Sequence, residues 1–118
     1  MGLDIYFHKT QTIKTGYFRK VNFLVRYFSD KYDLENCRPV EITVDDIKEL
    51  IERCHNVLQD HSSAPQLLPT CSGFFFGNTE YNDFYFEDVY KVLCFCKAFI
   101  EEYDEDDIDS NLTFTIDY

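Results

Sequence analysis

The segment Ser72–Gly77 reads SGFFFG and is the most distinctive place in the chain where side-chain chemistry could be positioned. In a strand, Phe74 and Phe76 point to one side and Phe75 to the other. The flanking glycines permit sharp turns or the close approach of another backbone. One interpretation is a central strand buried on both faces. The other is a strand whose ends form the rim of a pocket, with Ser72, Thr79, Glu80 and Tyr81 at that rim.

Cysteine and histidine side chains form no recognisable metal or catalytic pattern. On a helix, Cys94 and Cys96 point about 200° apart, so this pair cannot share a metal ion. Cys54, His55 and His61 offer ligands but lack the spacing of a zinc site. None of the three histidines has a recognisable partner that would make it a general base. We therefore predict no metal, no cofactor and no catalytic residue, and we favour a protein that is not an enzyme.

The net charge of −11 is unevenly distributed along the chain. Residues 1–60 carry nine Lys and Arg against ten Asp and Glu, whereas residues 61–118 carry two against twelve. Phosphate contacts require clustered Lys and Arg, so this balance argues against direct binding of nucleic acid. It suits a protein that meets a basic partner, or one that charge keeps soluble.

The number of cysteines and the length of the apolar runs indicate in which cellular compartment the protein is found. Five cysteines are an odd number, and the N-terminal residues do not resemble a secretory signal. No apolar run approaches the 18 or so residues of a membrane span. These observations predict a cytoplasmic protein with reduced thiols and no membrane contact.

Hydrophobic periodicity predicts the elements that would carry these residues. Residues 2–9 and 38–43 are expected to form strands, and residues 15–31 a helix with Val21, Leu24 and Phe28 on one face. Thr43, with Asp46 three residues later, predicts the start of a second helix that ends near residue 59.

The remaining elements complete an α+β pattern. A third helix follows the capping region at residues 82–83 and is expected to fray near residues 102–104. Alternation of Leu112, Phe114 and Ile116 with polar residues predicts a final, half-buried strand. We therefore expect one domain over residues 1–118, with about four short strands in an antiparallel or mixed sheet packed with three helices.

A resemblance to a known family supplements these patterns. Residues 67–88, LLPTCSGFFFGNTEYNDFYFED, resemble the signature of a family of small uncharacterised bacteriophage and prophage proteins. The start MGLDIYFHK and the segment YFRKVNFLVRYF at residues 17–28 are similar to the same family. Cys71 and Phe18 stand where the family pattern has Gln and Trp. The resemblance implies a single cytoplasmic domain in a bacterial host cell, and it implies no particular activity.

The polar residues of the matching blocks are the candidates for a ligand- or partner-binding site. They are Asp4, Arg19, Lys20, Asn22, Ser72, Thr79, Glu80, Tyr81, Tyr85, Glu87 and Asp88. Arg19 and Lys20 could bind an anionic group, and Glu80 could pair with one of them. A structural salt bridge would explain the same residues.

Two functions remain open. The first is a non-enzymatic phage accessory protein that binds a host protein, most concretely as an inhibitor of a bacterial defence system. The second is a small-ligand binder, or an enzyme, for a nucleotide-like anion with a pocket near Ser72, Thr79, Glu80, Tyr81, Arg19 and Lys20. A narrower form of the first has residues 101–109 mimic a phosphate backbone, but we favour a solvated loop for that run.

Overall fold

Four antiparallel strands form one sheet, in the spatial order β2-β1-β4-β3. The computed structural model describes residues 2–9, 13–73, 76–102 and 112–118. In chain order the strands are β1 at Asp4–Lys9, β2 at Ile13–Arg19, β3 at Val40–Ile42 and β4 at Leu112–Asp117. The predicted first and last strands are therefore confirmed, and β3 lies within the predicted segment 38–43.

Four helices accompany the sheet. They are α1 at Asn22–Ser29, α2 at Val44–Gln59, the short α3 at Ala64–Leu67 and α4 at Asp83–Glu102, with a 3-10 turn at His61–Ser63. The predicted start of α2 is confirmed, because Thr43 and Asp46 form a reciprocal capping box. None of the helices in the described ranges is long and apolar enough to span a membrane.

Aromatic rings join the helices to one face of the sheet. Phe7 of β1 and Phe114 of β4 are fully buried and lie 5.3 Å apart by ring centroids. Phe28 of α1 lies 4.2 Å from Phe114, and Phe95 of α4 lies 4.9 Å from Phe7. Contacts among these rings fix α1 and α4 on the same face of the sheet.

The first predicted helix began too early in the chain. Residues 13–19 form β2, which pairs with β1, and α1 begins only at Asn22. The helical spacing counted from Tyr17 was misleading, because that side chain is exposed on the strand. Gly16 is a poor helix former, and a Cβ atom there would lie 2.4 Å from the Phe95 ring. Pairing with β1 therefore outweighs the local periodicity.

The interpretation of SGFFFG as a strand was also wrong in the residues that the structure describes. Residues 71–73 and 76–79 form no strand, while Phe74 and Phe75 lie outside the described residues. Phe76 is buried, and its N–H donates to the carbonyl of Gly73 at 3.2 Å and not to a neighbouring strand. The α+β class is nevertheless confirmed, since β2 supplies the fourth strand.

Candidate functional site

A cleft of about 180 Å³ lies between the β2–α1 junction, the loop before α4 and the first turns of α4. Residues 19–23 and residues 70–88, two parts of the chain that are distant in sequence, therefore meet at one place. The lining residues are Arg19, Lys20, Val21, Asn22, Phe23, Thr70, Gly77, Asn78, Glu80, Asn82, Phe84, Tyr85 and Asp88. Six of the predicted candidates are among them: Arg19, Lys20, Asn22, Glu80, Tyr85 and Asp88.

The side chain of Asn22 holds the loop against the start of α1. Its Nδ2 donates to the carbonyls of Phe76 and Asn78, each at 3.0 Å. Its Oδ1 accepts the N–H of Cys71 at 3.3 Å, and the Cys71 thiol donates to the Asn22 carbonyl at 3.3 Å. Asn22 is only 3% exposed. A buried amide with these partners specifies one loop conformation, because any other would leave polar groups unpaired.

Thr70 closes the base of the same loop. Its hydroxyl donates to the carbonyl of Thr79 at 2.9 Å, and its N–H donates to the Tyr81 hydroxyl at 3.2 Å. The Tyr81 ring lies 5.0 Å from that of Tyr85, whose hydroxyl donates to the carbonyl of Leu68 at 2.8 Å. Thr79 and Tyr81 therefore support the loop and do not line the cleft.

Two lining residues with left-handed backbone conformation, Lys20 and Gly77, contact each other at the cleft. Lys20 has φ of 59° and Gly77 has φ of 88°. A Cβ atom on Gly77 would lie 3.2 Å from Cβ of Lys20, so a side chain there would crowd the junction. Lysine rarely adopts this conformation, which costs about 1–2 kcal/mol. The Lys20 N–H bond to the Leu3 carbonyl, at 2.7 Å, helps to maintain it.

The cleft contains charges of both signs. Glu80 and the Lys20 ammonium form no ion pair with any other part of the chain that the structure describes. Asp88, on the same helix face as Phe84, is half-buried, and its carboxylate has no hydrogen bond or ion pair within the described ranges. Burial raises the pKa of Asp88; Lys91 opposes this shift and Glu87 adds to it. The expected pairing of Glu80 with Arg19 or Lys20 does not form among the described residues.

Three of the predicted candidates lie away from the cleft. Asp4 is on β1 and accepts the Tyr17 hydroxyl at 2.6 Å. Ser72 is exposed and does not line the cleft. Glu87 is exposed and pairs with Lys91 at 3.3 Å. A shared sequence block therefore did not imply a shared site for these residues.

Sequence reasoning missed Asn78 and Phe84 as lining residues and gave Asn82 only a capping role. Asn82 does cap α4, because its Oδ1 accepts the N–H of Tyr85 at 3.1 Å. Asn78 Oδ1 accepts the N–H of Glu80 at 2.6 Å. Each amide thus uses its oxygen on the backbone and retains an NH2 group as a donor. The Phe84 ring is 76% exposed. Hydrophobic periodicity alone could have predicted that this ring is exposed.

A second polar cluster joins α1 to α2, and its charged groups are already paired with one another. Lys31 Nζ lies 3.0 Å from Asp46 Oδ1 and 3.1 Å from Glu49 Oε1. The Tyr27 hydroxyl donates to Glu49 at 2.8 Å, and Arg53 pairs with Glu49 at 3.3 Å. Since each charge already has a protein partner, this cluster is structural.

Thiols and acidic groups were also candidates for chemistry. Cys54 and Cys96 are fully buried, and burial raises the pKa of the Cys96 thiol to about 12, which makes it unreactive. No group of three or more His, Cys, Asp or Glu side chains in the described ranges is arranged to hold a metal ion. Most of the acidic run, residues 103–109, lies outside the described residues.

Comparisons of the chain with protein-family models, with curated proteins and with solved structures gave no match.

Proposed function

We propose that this protein binds a small ligand whose anionic group lies beside the exposed side chains of Arg19 and Lys20 at the cleft. The observation that carries the proposal is the convergence of this basic pair with the loop at residues 77–82 and the start of α4. Arg19 and Lys20 are two of the nine Lys and Arg of residues 1–60, and the cleft places them beside a part of the chain, residues 61–118, that holds only two. An anionic group is therefore favoured beside Arg19 and Lys20, whereas Glu80 and Asp88 favour hydrogen-bond donors elsewhere in the same cleft.

The donors around the cleft support an anionic or polar ligand. Lys20 offers an ammonium group, and Asn78 and Asn82 offer side-chain NH2 groups. Charge-assisted hydrogen bonds of this kind are about twice as strong as neutral ones. The clamp by Asn22 fixes the loop before a ligand arrives, so little ordering is needed on binding.

The size of the cleft limits what enters it. Pockets for drug-sized ligands occupy about 300–1,000 Å³. A cleft of about 180 Å³ accommodates one planar ring or one phosphate-sized group, with the remainder of the ligand lying over the rim. A nucleoside monophosphate has both kinds of group, and the exposed Phe84 ring is available for stacking.

The test replaces Lys20 by Gln and measures binding of inorganic phosphate and of the four nucleoside monophosphates by titration calorimetry. Loss of one charge-assisted contact is expected to weaken nucleotide binding about tenfold. The matched control is Lys48→Gln, because Lys48 is exposed on α2 and lies outside the cleft. This control is expected to bind like the wild type. The proposal fails if no probe binds at millimolar concentration, or if both variants behave alike.

A second candidate function is docking of a host protein, as the resemblance to phage proteins suggests. One observation favours it: the Phe84 ring lines the cleft and is 76% exposed, and Tyr81, three residues earlier in the chain, is 37% exposed. Exposed aromatic rings of this kind anchor protein interfaces. Inhibition of a bacterial defence system would be one such interaction.

For this candidate we expect a tagged protein to recover a stoichiometric partner from host lysate, and Phe84→Ala to lose it. Tyr90→Ala is the matched control, since Tyr90 is another exposed ring of α4, at 59%, and lies outside the cleft. Equal recovery by both variants, or no partner across several hosts, would contradict docking at this surface.

A further inference from the structure

Two carboxylates of the cleft, Glu80 and Asp88, have no hydrogen bond within the described ranges, and of these two Asp88 is half-buried whereas Glu80 is exposed to water. The Asp88 carboxylate lines the cleft, and neither oxygen has a partner in the ranges that the structure describes. An ionised carboxylate accepts hydrogen bonds through both oxygens and donates none. A ligand that occupies the cleft must therefore present hydrogen-bond donors to Asp88, or leave a desolvated charge unpaired.

Phe84 lies one helical turn before Asp88 and on the same face of α4. Its ring is 76% exposed although it borders the cleft. An aromatic face and a carboxylate one turn apart match the two surfaces of a nucleobase: the ring can stack, while its edge meets the acid.

The cations select among ligands that could satisfy Asp88. Arg19 and Lys20 line the same cleft as Glu80 and Asp88, so a ligand that carries both an anionic group and a donor edge meets a charge of opposite sign at each end. A neutral base that carries a phosphate satisfies both ends, since its edge offers donors to the carboxylate and its phosphate faces the cations. The negative charge of the chain disfavours a polyanion, so a free mononucleotide suits the site better than a nucleic-acid strand.

We propose that the cleft recognises a guanine base, whose N1–H and 2-amino groups donate in parallel to the two oxygens of Asp88 while the ring stacks on Phe84. Guanine is the common base with two adjacent donors on its pairing edge; adenine and cytosine each offer one amino group beside an acceptor, and uracil offers a single N–H. This inference rests on the proposed function and names its ligand class.

The first test compares GMP with IMP, which lacks the 2-amino group, and with UMP. A bidentate contact discriminates by about 1–3 kcal/mol, so GMP is expected to bind about tenfold more tightly than IMP. A short single-stranded RNA ending in guanine distinguishes the source of the base. If it binds more tightly than GMP and depends on Asp88 in the same way, the recognition stands and the base belongs to a strand end.

The second test is Asp88→Asn. A carboxamide presents one acceptor and one donor, which complement the N1–H and 2-oxo groups of xanthine. The variant is therefore expected to lose about tenfold or more in GMP affinity and to prefer XMP. Charge alone predicts the opposite result for GMP, because removal of a carboxylate should strengthen the binding of an anion. Asp83→Asn, an exposed position of the same helix outside the cleft, controls for that effect.

Stability provides a readout that separates lost recognition from lost folding. Burial raises the pKa of Asp88, so the folded state holds this proton more tightly than the unfolded state does. The ionised carboxylate thus destabilises the fold at neutral pH. Asp88→Asn should raise Tm by roughly 1–3 °C while it abolishes the preference for GMP.

The outcomes distinguish the two proposals. If phosphate and all nucleotides bind alike and depend on Lys20, while Asp88→Asn changes nothing, guanine recognition is wrong and anion binding stands. If no probe binds, both are wrong. If the wild type prefers GMP and Asp88→Asn prefers XMP, both anion binding and guanine recognition are supported.

Discussion

Replacement of Asp46 by Asn is expected to destabilise the protein by about 3 kcal/mol and to lower Tm by roughly 10–15 °C. Asp46 is only 6% exposed and links α1 to the start of α2. Its Oδ1 accepts from Lys31 at 3.0 Å, and its Oδ2 accepts from the Tyr32 hydroxyl and from the N–H of Thr43. One substitution therefore breaks the ion pair with Lys31 and replaces two charge-assisted hydrogen bonds, from Tyr32 and Thr43, by weaker ones to a neutral amide.

The expected destabilisation of about 3 kcal/mol lies at the lower end of the range measured for broken buried ion pairs. Lys31 retains Glu49 at 3.1 Å and is 31% exposed, so it does not become an isolated buried charge. The asparagine can still accept the Tyr32 hydrogen bond. The same oxygen can keep the N–H of Thr43, because both hydrogen bonds are made to Oδ2, but the NH2 group then faces the Lys31 ammonium, donor against donor.

Acid pH should remove the difference in stability between the wild type and Asp46→Asn. Burial would raise the pKa of Asp46, but hydrogen bonds from Tyr32, Thr43 and Lys31 outweigh burial and hold it below its usual value. A lowered folded pKa stabilises the protein above the unfolded pKa of about 3.9, and this contribution is lost as pH falls through the folded pKa. The gap in Tm between wild type and Asp46→Asn is thus expected to be full near neutral pH and to narrow at acid pH.

Asp45→Asn is the matched control for this experiment. Asp45 is the adjacent carboxylate in the first turn of α2, but it is exposed. Its loss removes only a favourable interaction with the helix dipole, worth about 0.3–1 kcal/mol. Denaturant unfolding from neutral to acid pH gives both free energies. If the difference in free energy of unfolding between wild type and Asp46→Asn stays constant with pH, the charge of Asp46 does not have the proposed role.

The elements predicted correctly are those with local signals. The start of α2 follows from Thr43 and Asp46, three residues apart, and the alternation of Leu112, Phe114 and Ile116 follows from the pleat of β4. The extent of α1 could not be predicted in the same way. Tyr17 continues the helical spacing of α1, yet it lies on β2, whose conformation depends on pairing with β1. The hydrophobic periodicity of a segment carries no information about which strand it pairs with.

The candidate site was predicted in part for a similar reason. The basic pair Arg19–Lys20 and the polar residues after SGFFFG are recognisable as candidates from their types. Their meeting depends on Asn22, whose partners are 49 to 56 residues away in the chain. No local pattern indicates which buried amide will hold which loop. The SGFFFG segment invited interpretation as a strand because ring-rich runs favour sheets. The Asn22 side chain instead satisfies the Phe76 carbonyl that a strand would have paired.

Asn22→Asp is expected to disrupt the loop and the cleft together, at a cost of about 3 kcal/mol. The change preserves size and retains Oδ1 as acceptor for the N–H of Cys71 at 3.3 Å. It replaces the NH2 group by an oxygen that faces the carbonyls of Phe76 and Asn78, both at 3.0 Å. Three acceptors then meet in a buried place without a donor, and the loop must move away to solvate them.

The expected signature has three parts that a general loss of stability would not produce. Amide exchange should accelerate most at residues 77–80, and nucleotide binding in the cleft should be lost at temperatures where the variant is still folded. Because a protonated carboxyl can donate one hydrogen bond, the penalty should shrink as pH falls and the introduced group binds a proton. Asn56→Asp makes the same chemical change on the exposed surface of α2 and should alter none of these properties. A variant at Asn22 that retains wild-type exchange at residues 77–80 would show that this amide does not hold the loop.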